Sequence, residues 1–78
     1  MQSAEAEIDR MQKAYLVAVD EWIAAIRAEE ALVSASPSLA EVDRWEQAHF
    51  REEEVRNKAK AAKKDYEAAV RSKFFGFH

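Results

Sequence analysis

Helix breakers are almost absent from this chain: Pro37 is its one proline and Gly76 its one glycine, in 78 residues. The stretches on either side of Pro37, as far as Gly76, are built mainly from Ala, Glu, Lys, Arg, Leu and a few aromatics, and hold no residue that breaks a helix. The sequence therefore predicts an all-α fold, an antiparallel two-helix hairpin in one domain over residues 1–78. Helix 1 is expected at about 3–34, the turn at 35–38 within Ser34-Ala35-Ser36-Pro37-Ser38, and helix 2 at about 39–75.

Both helix starts are written in the residues. Ser3 is placed to cap helix 1, with Glu5, Glu7 and Asp9 at its positive end. Ser38 followed three residues later by Glu41 reads as a capping box for helix 2, with Ser36 before Pro37 as the alternative cap. Gly76 suits the left-handed residue that closes a helix. From Glu41 to Glu54 helix 2 is acidic and from Val55 to Lys73 it is basic, the polarity that complements the helix dipole. Glu52 with Arg56, Glu54 with Lys58 and Glu67 with Arg71 are spaced as i,i+4 ion pairs.

Helix 1 carries two adjacent apolar rows. The first runs through Ile8, Met11, Tyr15, Ala18, Trp22, Ala25 and Leu32, the second through Leu16, Val19, Ile23, Ile26 and Val33. One antiparallel neighbour covers about one such row. Helix 2 offers a thinner line, and between Arg51 and Asp65 its only apolar residue larger than alanine is Val55. Trp22 and Trp45 are expected as core anchors, and Tyr15 is expected to meet Tyr66. With no cysteine to form a disulfide and so little apolar area in one seam, a chain this short needs further packing. The expectation is a homodimer in which two hairpins make a four-helix bundle, joined through Leu16, Val19, Ile23 and Ile26.

Chemistry is sparse. There is no Gly-rich phosphate loop, no thiol and no Ser/His/Asp grouping beyond random occurrence, so no catalytic residue, no cofactor and no enzymatic activity is expected. Glu46-Gln47-Ala48-His49 is the sharpest motif. A Glu-x-x-His pair, doubled in a dimer and joined by carboxylates such as Asp20, Glu21, Glu29 or Glu30, is the donor set of di-metal helical bundles. The plainer reading of Glu46 and His49 is a rim histidine beside a carboxylate, and no metal is expected. Arg56, Lys60 and Lys63 form a basic patch, but the charges surround helix 2 rather than line one face. The net charge of −3 likewise argues against a nucleic-acid partner. Phe74, Phe75 and Phe77 exceed what a helix stop needs, and are expected to cap the end of a bundle or to enter a partner's groove rather than a membrane.

In length and hairpin plan the chain resembles several families of small helical proteins: secreted Trp-x-Gly hairpins, type III secretion chaperones and RNA-binding hairpin dimers. The Ser36-Pro37-Ser38 turn has no Trp-x-Gly, and no family's residues carry over. Without an apolar leader, the expected location is cytoplasmic. The function expected is that of a non-enzymatic interaction module, an adaptor, chaperone or regulatory subunit that self-associates and shows a helical surface to an unknown protein partner. A metal-binding bundle and a nucleic-acid-binding hairpin are the alternatives.

Overall fold

A computed structural model describes residues 4–33 and 38–76. It contains α1 (Ala4–Ala31) and α2 (Leu39–Phe75), which pack against each other as an antiparallel hairpin about 55 Å long and 18 Å by 17 Å in section. The 37 residues of α2 account for that length at about 1.5 Å each.

Ser38 caps α2 as the sequence indicates: its hydroxyl accepts from Glu41 N–H at 3.3 Å, and its own N–H donates to Glu41 Oε2 at 3.1 Å. At the other end Gly76 takes φ 69°, ψ 19°, and its N–H donates to Ser72 O. A side chain at that φ would be strained, which is why glycine stands there. The proposed Ser3 cap, Ser36, Pro37 and Phe77 lie outside the described residues. Helix 1 is shorter than its expected span, because α1 ends at Ala31. Leu32 and Val33 donate instead to Glu29 O and Glu30 O, both at 3.1 Å, three-residue bonds that tighten the exit into a turn.

The seam follows alternating three- and four-residue steps. On α1 it runs Ile8, Met11, Tyr15, Ala18, Trp22, Ala25, Glu29 and Leu32, all buried or half-buried. Those are the positions of the first apolar row, with Glu29 filling its gap. Across from them on α2 stand Ala48, Glu52, Val55, Ala59, Ala62, Tyr66 and Ala69. The apolar core proper is only Ala18, Ala25, Val55 and Ala59, with Val55 its largest fully buried side chain. Small residues let two backbones come close, but they remove little apolar surface from water. Tyr15 and Tyr66 do meet, with ring centroids 6.3 Å apart and planes at 26°.

Three local expectations are corrected. Trp45 is 41% exposed and is no core anchor, since it stands at the frayed turn end where α1 has already stopped. Glu52 and Arg56 do approach to 3.6 Å, but Lys58 crosses to Glu21 on α1 at 3.4 Å while Glu54 lies 4.0 Å from Arg51. Glu67, in turn, pairs with Lys63 at 3.8 Å.

Candidate functional site

Among the described residues, the second apolar row of α1 is left only partly covered by the hairpin. Leu16 is 53% exposed, Ile23 43%, Ile26 40% and Val33 73%, with Val19 half-buried among them. Each lies one residue past a seam position, so together they form one flank of α1 beside the seam. On α2 the same step past the seam gives Val42, Glu46, His49, Glu53, Arg56, Lys60 and Lys63. In an antiparallel pair these occupy the same flank. The flank is thus apolar along α1 from Leu16 to Ile26 and again at Val33, with Glu30 between, and mostly charged along α2, with acids towards the turn and bases away from it. Where the two edges meet near the turn, an open groove of about 250 Å³ is lined by Ile26, Glu29, Glu30, Val33 and Trp45.

Beside that groove the seam turns polar. Glu52 is buried at 7% exposure, the only buried ionisable residue among those described. Its Oε2 accepts from Trp22 Nε1–H at 2.8 Å and lies 3.6 Å from Arg56 Nε. A carboxylate in such a position requires partners of this kind, because desolvation penalises an unpaired charge. One turn earlier on α2, His49 stacks on Trp45 with centroids 6.0 Å apart and planes at 15°. That places His49 Nδ1 3.4 Å from Glu29 Oε1 across the seam. Single donor atoms of Glu29, His49 and Glu52 all fall within 4.8 Å of one another.

The structure therefore gathers His49 with residues other than the motif partner first singled out. Glu46 is exposed on the flank and lies outside the group that His49 makes with Glu29 and Glu52. The sequence offers Glu29 among the helix 1 carboxylates, whereas it marks Glu52 only by its i,i+4 spacing from Arg56. The usable signal was the carboxylate that interrupts each apolar line at seam spacing.

Two of the three basic-patch residues have acidic neighbours of their own: Arg56 with Glu52, Lys63 with Glu67. That leaves them less free for phosphates. At the far end Lys73 Nζ reaches Glu5 Oε1 at 3.3 Å, so Phe74 and Phe75 lie level with the first turn of α1. They are 68% and 67% exposed, with Lys73 Nζ 5.4 Å from the Phe74 ring centre. Among the described residues no helix is long and apolar enough to cross a membrane.

No family model, no curated protein and no solved structure matches the chain.

Proposed function

We propose that this chain is a non-enzymatic interaction module that self-associates through the α1 flank and presents its remaining helical surface to a partner protein, as an adaptor, chaperone or regulatory subunit does. The observation that carries the reading is the exposed row Leu16, Ile23, Ile26 and Val33, with Val19 half-buried among them and Glu30 as its one charged step, beside a core of three alanines and one valine. Such a row on so thin a core leaves apolar surface in water that a second layer of helices would remove.

A second copy is the occupant that fits. The α2 edge of the flank runs from acidic Glu46 and Glu53 to basic Lys60 and Lys63, and two such edges placed antiparallel about a two-fold axis set opposite charges against each other. The apolar row at the centre would then meet its own copy, giving a four-helix bundle. Phe74 and Phe75, exposed at the far end, remain for the bundle end or for the partner protein.

Analytical ultracentrifugation tests this directly. The parent chain is expected to sediment as a dimer, and Ile23→Asp as a monomer that keeps its helical circular dichroism. A parent that stays monomeric at every concentration, or an Ile23→Asp chain that still dimerises, would overturn the assignment.

A further inference from the structure

We propose that Glu29, His49 and Glu52 form a binding site for one divalent transition-metal ion within each hairpin, of the zinc, ferrous or manganous kind that mixed imidazole and carboxylate donors favour. One donor atom from each residue already lies within 4.8 Å of the others. Metal–nitrogen and metal–oxygen distances near 2.0–2.2 Å place coordinating atoms about 3 to 3.5 Å apart. Small rotations of three side chains, one of them the half-exposed His49, close that difference.

Independent features of the same region favour a cation. Glu29 and Glu52 occupy seam positions, where the neighbouring steps along the helices are apolar: Ala25 and Leu32 on α1, Ala48 and Val55 on α2. Two carboxylates facing each other there give up apolar burial, and departures of that kind from a consistent pattern gather at functional sites. The last turn of α1 contains Glu29 and Glu30 and no basic residue, which puts negative charge at the negative end of the helix dipole. Among the described residues this group has a cationic neighbour in Arg56, which lies 3.6 Å from Glu52.

The surroundings also do what the outer layer of a metal site does. Trp22 Nε1–H and Arg56 hold one oxygen of Glu52 and leave the other for an ion. Trp45 fixes the plane of the His49 ring by stacking. The groove lined by Ile26, Glu29, Glu30, Val33 and Trp45 gives an ion a path from solvent. Three protein donors leave coordination positions open, so water or an acidic group of a partner can complete the shell.

The test is titration of the full chain with zinc by calorimetry, and with cobalt(II) for its visible absorption. The expected result is one ion per chain and a raised melting temperature. Binding should weaken at least about tenfold in Glu29→Gln and in His49→Ala, and stay unchanged in Glu46→Gln. His49 is half-exposed, so its replacement leaves the hairpin folded, and circular dichroism verifies that for both variants. No binding, binding indifferent to Glu29→Gln and His49→Ala, or loss in Glu46→Gln would each overturn the site. The site stands apart from self-association: an Ile23→Asp chain should bind the ion as the parent does, so a failure of the dimer and a failure of the site are read separately.

Discussion

The half of the hairpin far from the turn and the half beside it use the same seam positions in opposite ways. Far from the turn, Met11, Tyr15, Ala18, Ala59, Ala62, Tyr66 and Ala69 fill them with small and aromatic side chains, and the two tyrosines stack. Beside the turn Ala25 and Val55 stay buried, but Trp22, Glu29 and Glu52 bring a hydrogen bond from indole to carboxylate and an imidazole facing a second carboxylate into the same seam. Packing in the first half is what an efficient helix pair does anyway. The second half sacrifices burial for polar geometry, and a chain with so little core to spare has a use for that geometry.

The largest effect should come from making the packed half resemble the polar one without its partners. Ala59 is 2% exposed, and Ala59→Asp would bury a carboxylate with no donor beside it. The expected outcome is loss of the cooperative thermal transition at 222 nm; a transition within a few degrees of the parent would mean that the seam is looser than its burial indicates. Next in size is Trp22→Phe, which keeps the ring but removes the donor to Glu52, at an expected cost of about 1 to 3 kcal/mol by urea denaturation. An unchanged midpoint would show that Glu52 finds water instead.

Glu52→Met sharpens the contrast with the opposite sign. Made in the Trp22→Phe background, so that no indole donor is left unpaired, it makes the polar half resemble the packed one, and removing the buried carboxylate together with its donor is expected to stabilise the metal-free hairpin relative to Trp22→Phe alone by about 1 kcal/mol or more. A lower melting temperature would identify Glu52 as a structural residue and remove the argument that its burial serves a site.

How much of this the sequence disclosed follows the same division. The hairpin, the Ser38 capping box, the Gly76 stop and the Tyr15–Tyr66 meeting were all legible, because periodicity and capping are local and a seam of regular steps fixes which residues face each other. The extent of α1 was not, because the three-residue bonds of Leu32 and Val33 to Glu29 and Glu30 depend on how the chain leaves the helix rather than on propensity. The polar cluster was half legible. His49 stood out as the histidine inside a helix, but sequence proximity drew attention to Glu46, while its observed neighbours are one carboxylate across the seam and one a turn further along. The two carboxylates are marked in the sequence by the interruptions of the two apolar lines, at Glu29 on α1 and at Glu52 on α2.

The packed half can be probed without disturbing the polar one by a double-mutant cycle on Tyr15→Ala and Tyr66→Ala. Stacked rings at 6.3 Å should show a coupling of about 0.5 to 1.5 kcal/mol, and zero coupling would mean that the tyrosines sit side by side without supporting each other.

The smallest effect belongs to the far end of that half, where Lys73 reaches Glu5 across the helix pair. A hydrogen bond from its own backbone N–H, then the hydrogen bond and charge of Lys73, hold the Glu5 carboxyl below its ordinary value of 4.5. A carboxyl whose folded-state pKa is lowered stabilises the fold above the unfolded value, and that contribution disappears as pH falls through the folded one. Glu5 is fully exposed, so solvent screens the interaction and the difference between the parent and Glu5→Gln should be slight at neutral pH. It should vanish as urea midpoints are followed from neutral to acid pH, and shrink likewise in high salt. A gap that widened below pH 4.5 would contradict the sign and would place the clasp of the far end on the phenylalanines beside it rather than on this ion pair.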